Sequence, residues 1–469
     1  MKKIHVDSSK PSQQQLDNLI KLYQNRQYVD AEKLSLSITE KFPKHPFAWK
    51  VLGAILKQKG RISESLIVCQ KSVQLDPQDA KAHNNLAIVL LLQNRLEEAE
   101  TSLRQAIKLK PDLAEAHNNL GIIFQKRRKF TEACSAYIQA INFNPDFTDA
   151  YENLGMVIKK VRFNSSNVEL YPLLIRLLSI GNFVRPRDLA SSILSLLKHD
   201  PLIKNLLLEK NFATNLKEVN FIIGSLDKLK LLHHLMRVCP LPDLQFERFF
   251  VTMRNLLLKN LDNIEASPEF IYFLSTLSLH CFTNEYVYFE KEEETELIKR
   301  LEAEIVQTIE KSEQPETKKI LCLASYRPLH QYNWCQKLEA LDHLEEVKSR
   351  LIEEPYTERA IAAEIPMLGE ISDDISCKVR SQYEKNPYPR WVKTLKTKKA
   401  KSISEICAEA NLHLNSKSIK NVIAPAILIA GCGTGQHSIG TASRFSNCQV
   451  TAVDLSIASL AYAKRKTAE

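Results

Sequence analysis

Hydrophobic positions recur at helical spacing through the first third of the chain, and the pattern itself returns every 34 residues. Leu52, Leu86, Leu120 and Leu154 mark one slot; Ala48, Ala82, Ala116 and Ala150 mark another; Gly53, Ala87, Gly121 and Gly155 a third. Within each period follow Leu56, Leu90 and Phe124, then Ser65, Ala99 and Ala133, then Ser72, Ala106 and Ala140. Apolar residues three and four apart share one helix face, so each period predicts two helices. Small residues at fixed places let those helices approach closely. Pro43, Pro77, Pro111 and Pro145 keep the same interval, each just after a helical stretch, where a missing N–H costs least. The turn between the two helices carries Gly60, Asn94 and Arg128; the first two tolerate left-handed backbone, and the arginine does not favour it.

Three full periods run from Pro46 to Pro145. A weaker unit precedes them, keeping Leu22, Ala31 and Pro43 but placing Asn18 in the leucine slot, and a further unit starts at Tyr151 and stops near Val161. The pattern resembles the tetratricopeptide repeat (TPR), which implies a helical solenoid over 1–163. Such arrays bind partners on a concave face formed mainly by the first helix of each repeat. Asn85, Asn119 and Asn153 share one slot of that helix and are expected to form a ladder of amides, each offering donor and acceptor to an extended peptide. The ladder resembles that of O-GlcNAc transferases, whose repeats carry the AHNNLG string found at Ala116–Gly121. His83 and His117 occupy the slot of Trp49 and Tyr151, which marks them as packing residues rather than metal ligands.

Beyond Phe163 the period is lost while helical spacing persists, as in Leu173, Leu174, Leu177 and Leu178, then Leu189, Ile193, Leu196 and Leu197. A helical middle over 164–375 is expected. The acidic run Glu290–Glu296 reads as a solvated first helical turn, with negative charge at the positive end of the dipole. Cys322, His330 and Cys335 lie close in sequence, but spacing alone establishes no nucleophile and base.

The chemistry concentrates near the far end. Val422–Ala430, VIAPAILIA, predicts a buried strand, followed by Gly431, Cys432, Gly433, Thr434 and Gly435, a helix over Gln436–Phe445, and a second strand over Gln449–Val453 closed by Asp454. An acid 19 residues beyond Gly435 stands where nucleotide-binding α/β folds place a carboxylate for ribose hydroxyls. Dinucleotide sites need a further glycine at the position held by Gln436, so the loop is GxGxG instead. That loop resembles motif I of class I S-adenosylmethionine (SAM) dependent methyltransferases. Asp454-Leu455-Ser456 with SLAYAKRK (459–466), and VRSQYEKNPYPRW (379–391) upstream, are similar to bacterial methyltransferases that carry N-terminal TPR arrays. The resemblance implies SAM as cofactor, held by Gly431, Gly433, Gly435 and Asp454, and a lid or site wall for the NPYP segment. Asn386, Pro387 and Tyr388 depart from the NPPY signature of amino-group methyltransferases, which doubles the proline and follows motif I.

The expected architecture is mainly α. It comprises a TPR array at 1–163, a helical middle at 164–375, a connector with NPYPRW at 376–420, and at 421–469 the first β-α-β of a Rossmann-like methyltransferase fold. Only 15 residues follow Asp454 where such a sheet normally has seven strands, so a fragment is expected, with catalytic residues beyond residue 469 and methyl transfer belonging to the complete protein. The competing reading is a non-catalytic TPR scaffold.

Bulk properties narrow the rest. A hydrophobic fraction of 44% with 25% charged residues excludes a largely disordered chain, and 11 glycines in 469 residues suit helix. The longest apolar runs, Leu86–Leu92 and Val422–Ala430, fall short of a bilayer span, and residues 1–15 lack the apolar stretch of a secretory signal. Ten cysteines without a CxxC pair fit a reducing cytoplasm. The charge of +9 is spread over 64 basic and 55 acidic residues, and the basic stretch Lys393, Lys396, Lys398, Lys399 and Lys401 reads as a solvated face. A protein or peptide on the TPR face is thus the expected partner, rather than nucleic acid or membrane.

Overall fold

A computed structural model of the chain describes residues 10–180, 184–208, 216–369, 372–394, 400–410, 412, 419 and 421–469. It divides into two compact units, one ending at Val161 and the other beginning at Arg162.

The first unit is a succession of helices: α1 (Gln13–Gln24), α2 (Tyr28–Lys41), α3 (Pro46–Gln58), α4 (Ile62–Leu75), α5 (Ala80–Leu92), α6 (Leu96–Leu109), α7 (Ala114–Lys126), α8 (Phe130–Phe143) and α9 (Thr148–Ile158). Each repeat is an antiparallel pair, and the 34-residue slots become layers of core. Ala87, Leu90, Ala99, Leu103, Ala106, Ala116 and Ile123 pack into one such cluster.

The small slot earns its size from what faces it. A Cβ built on Gly53 would stand 2.5 Å from Cys69 Sγ, and one on Gly121 2.5 Å from the Tyr137 ring. Where the facing slot holds Leu103, position 87 is alanine. The turns take left-handed backbone at Arg26, Gly60, Asn94 and Arg128, with φ of 58°, 76°, 59° and 59°. The aromatic slot has its own bond. Trp49 Nε1 donates to the carbonyl of Pro43 at 2.9 Å, and the ring Nε2 atoms of His83 and His117 lie 3.0 Å and 2.8 Å from the carbonyls of Pro77 and Pro111. These three repeats thereby tie the first helix to the proline turn before it, which satisfies a carbonyl of that turn.

The second unit begins with helices that lack the period: α10 (Tyr171–Ile180), α11 (Pro186–Leu197), α12 (Pro201–Leu208), α13 (Leu216–Asp227), α14 (Lys230–Val238), α15 (Leu244–Asn260), α16 (Pro268–Thr283), α17 (Glu292–Glu310), α18 (Thr317–Ala324), α19 (Glu345–Lys348), α20 (Glu354–Ala362), α21 (Asp374–Lys385) and α22 (Ile403–Glu409). Their core holds a buried cation. Arg254 lies 4.0 Å from the Tyr326 ring centre and donates to the carbonyls of Ser325 and Phe289 at 3.2 Å and 2.9 Å. The acidic run does open α17, yet Glu294 is not solvated. It is fully buried, accepting from the Lys291 N–H at 2.9 Å and from the Tyr326 hydroxyl at 2.7 Å. Its place three residues into the helix makes it half of a capping box, a role that draws one acid of the run inward.

The unit closes with β1 (Ala426–Ala430), α23 (Gln436–Arg444), β2 (Gln449–Val453) and α24 (Ile457–Ala468). The strands are parallel, with Ala426 opposite Gln449 and Ala430 opposite Val453. The buried strand expected from Val422 is shorter and more open: Ile423 and Leu428 are 78% and 68% exposed. Pro425 has no N–H to extend a ladder, and among the described residues no strand besides β2 pairs with β1 to help cover those aliphatics. Among the described residues, no helix is long and apolar enough to cross a membrane.

Candidate functional site

The glycine loop is an extension of β1. Cys432 N–H donates to the Val453 carbonyl at 3.1 Å, carrying the ladder one step past the strand, and Gly435 N–H returns to the Cys432 carbonyl at 3.1 Å to close a turn. Gly431, Gly433 and Gly435 have φ of 67°, 52° and 80°, a region where an L side chain is strained. Their surroundings differ. A Cβ on Gly431 or Gly433 would meet nothing within 4 Å, whereas one on Gly435 would stand 2.4 Å from the Ala463 Cβ. Gly431 and Gly433 thus leave open space beside bare backbone, and Gly435 lets the loop pack against α24.

Asp454 follows β2 and turns back onto this loop. Its Oδ2 accepts from the Gly433 N–H at 2.7 Å and its Oδ1 from the Ser456 N–H at 3.0 Å. The carboxylate is held at the mouth of the strand pair with each oxygen still able to accept a second bond. Burial, with the Asp454 charge adding to it, pushes the Cys432 thiol up to about 11, so the cysteine within the loop stays protonated.

The segment preceding the strands is packed against them. Trp391 Nε1 donates to the Thr434 carbonyl at 3.0 Å, and the Thr434 hydroxyl donates to the Pro389 carbonyl at 2.8 Å. The Tyr462 hydroxyl donates to the Trp391 carbonyl at 2.6 Å. Glu384 on α21 accepts from the N–H groups of Ile457 and Ala458 at 2.6 Å and 3.2 Å, placing negative charge on the positive end of α24. The segment carrying NPYP, expected as a lid or wall, is thus tied to the glycine loop through Pro389 and Trp391. Of the basic stretch beyond it, Lys393 donates to the Ser179 carbonyl and Lys401 pairs with Glu409. Lys396, Lys398 and Lys399 lie outside the described residues.

Beside this clasp is a polar cavity of about 690 Å³, walled by Glu285, Glu358, Arg390 and Ala458 among others. Arg390 pairs with Glu285 and lies 3.6 Å from a Glu358 oxygen; Glu358 also accepts from Arg465 on α24 at 2.8 Å. Burial pushes the Glu285 carboxyl up to about 7 against the pull of Arg390, and it raises Glu358 for the same reason. Sequence alone offered no signal for this network, because its members are separated by up to 180 residues.

The cysteines of the middle make no catalytic pair. Burial pushes the Cys322 thiol up to about 12 and the His330 imidazole down to about 4, and among the described residues His330 Nδ1 has no hydrogen-bond partner. Cys335 Sγ lies 3.5 Å from the Tyr356 hydroxyl.

In the repeat unit the amide ladder draws in two asparagines besides those expected. Asn119 Nδ2 donates to Asn84 Oδ1 at 2.9 Å, and Asn153 Nδ2 to Asn118 Oδ1 at 3.0 Å. Asn84 and Asn118 are buried, so each repeat's inner asparagine orients the outer asparagine of the next. Asn85 lacks this support, since the slot one repeat back holds Lys50, which pairs with Asp79. The doubled Asn-Asn at a 34-residue interval was the available signal.

Family models for tetratricopeptide repeats match residues 68–101, 89–127 and 114–147, and one for a methyltransferase domain matches 427–469. A search of curated proteins finds no match to the chain. Among solved structures it is similar to MamA, at 22% identity over 30% of this chain and 82% of that one, with a TM-score of 0.28. It is also similar to YrrB, titled a TPR protein with an unusual peptide-binding site, at 16% identity over 36% and 86%, with a TM-score of 0.30. A third is the O-GlcNAc transferase of Thermobaculum terrenum, at 22% identity over 27% and 25%, with a TM-score of 0.27. The chain thus unites tetratricopeptide repeats with a segment of a methyltransferase domain.

Proposed function

We propose that the protein is a SAM-dependent methyltransferase whose repeat array recruits a protein partner or substrate. The observation that carries the cofactor reading is the pairing of open backbone at Gly431 and Gly433 with the Asp454 carboxylate held against it. A nucleoside fits these groups: the loop leaves room where a side chain would stand, and the two carboxylate oxygens retain lone pairs for the two ribose hydroxyls. Gly435 contributes by seating the loop on α24. The bound cofactor supplies a methyl group on an electrophilic sulfonium. What the chain's own residues do is hold and orient: Asp454 fixes the sugar, and Trp391 and Thr434 fix the loop so that the site is formed before binding. Recruitment rests on the ladder, where Asn119 and Asn153 spend one N–H on the neighbouring repeat and keep a carbonyl oxygen and a second N–H for an extended backbone.

The test is calorimetric titration of SAM into the full-length protein and its Asp454→Ala variant. Loss of hydrogen bonds to a charged acceptor should weaken binding about tenfold, on the order of 1.5 kcal/mol. Equal affinity in the two proteins, or no uptake of SAM by either, would count against the site and favour the non-catalytic scaffold.

A further inference from the structure

We propose that the far end of the repeat array is a receptor for an acidic peptide segment, seated in a cationic cavity beside Asn153. This rests on the recruitment reading above and names the partner's chemistry. The cavity, about 730 Å³, lies between α7, α9 and the turn into α8, and its lining includes Gln125, Lys126, Arg128, Phe130, Asn153 and Lys160. No carboxylate is among the described lining residues.

Three observations set this place apart. First, cations of the two preceding inter-helix turns, and Arg127 of this one, are neutralised within the array: Lys59 and Arg61 by Glu32, Arg95 by Glu98, and Arg127 by Glu97 and Glu100. Lys126, Arg128 and Lys160 form no ion pair with any described residue; Lys160 sits 5.1 Å from the Phe130 ring centre. Second, Arg128 holds φ 59° in a slot where the two preceding repeats use Gly60 and Asn94. Left-handed backbone costs an arginine roughly 1 kcal/mol, so the turn itself does not call for this residue, which recurs in the slot at Arg26. Third, the amides are set as donors. The Tyr137 hydroxyl donates to Gln125 Oε1 at 2.8 Å, which turns that side chain so its NH₂ remains for another partner.

An anion would therefore find three cations and an amide donor, adjoining a ladder suited to extended backbone. That favours a peptide carboxylate over RNA, because the cavity's single aromatic face already carries the Lys160 ammonium and offers no open stacking platform.

The test is fluorescence anisotropy on the full chain in about 50 mM salt. The probes are a labelled nonapeptide of alternating glutamate and alanine, the same peptide with glutamine for glutamate, and an oligouridylate of equal charge. The acidic peptide should bind at least about fivefold more tightly than its glutamine form. Arg128→Asn, which suits the backbone and leaves the fold intact, should remove most of that advantage, and Lys126→Ala with Lys160→Ala the remainder. Equal binding of the two peptides, lost on Asn119→Ala with Asn153→Ala, would overturn the acidic preference while leaving recruitment standing. Tighter binding of the oligouridylate would overturn it in favour of RNA, and no binding of either peptide would overturn both readings.

Discussion

Replacing Arg390 by alanine should destabilise the second unit by about 3–5 kcal/mol, because it strands buried carboxylates rather than merely deleting a contact. Glu285 loses its cation outright, and Glu358 keeps only Arg465. The loss should also depend on pH. In the intact protein the folded state holds a proton on Glu285 up to about 7, while the unfolded chain releases it near the ordinary 4.5. Between those values the folded state binds more protons, so this group's contribution to stability falls as pH rises through the window. Without Arg390 both carboxyls are pushed higher still, and the penalty should be larger at pH 8 than at pH 5, where they can be neutral. Urea unfolding of Arg390→Ala at the two pH values reads this directly. A pairing of Arg390→Met with Glu285→Gln should recover part of the loss, since the uncompensated charge is gone. A penalty below 1 kcal/mol, or one independent of pH, would show that the network is solvated and carries little.

In the repeat unit, Gly121→Ala should cost about 1–3 kcal/mol by overpacking. The added methyl would fall 2.5 Å from a ring carbon of Tyr137, whose hydroxyl is fixed by Gln125 and cannot simply swing away. The preceding repeat shows the remedy, with Ala87 in the same slot and Leu103 in the facing one. Gly121→Ala combined with Tyr137→Leu should therefore be more stable than Gly121→Ala alone, a coupling that thermal unfolding of the four proteins of the cycle measures. Additive effects would mean that the helices move apart to absorb the methyl.

The repeat helices, their turns and the strand-loop-helix-strand order were legible because each depends on residues near one another in sequence: a 34-residue period, a proline after each second helix, glycines between an aliphatic run and a helix. The expected length of β1 failed for a physical reason, since aliphatic character marks burial only where something arrives to cover it, and Leu428 faces open space. Glu294 was misjudged because a run of acids looks alike whether each is hydrated or one is drawn into a cap. Asn84 and Asn118 stand beside ladder positions in the sequence, but nothing local marks them as its supports. The pairing of Arg390 with Glu285 and Glu358, and of Trp391 with Thr434, joins residues 32 to 105 positions apart without periodicity, and no local pattern announces such contacts.

The clasp at Trp391 and Thr434 bears on how the molecule would behave when cut. Glu384 and Trp391, on the amino-terminal side of residue 394, bond directly to α24 and the glycine loop, so these contacts do not depend on an unbroken chain between residues 394 and 421. A protease nick there should yield halves that still elute as one species from a sizing column and separate only in denaturant, in the manner of a split protein.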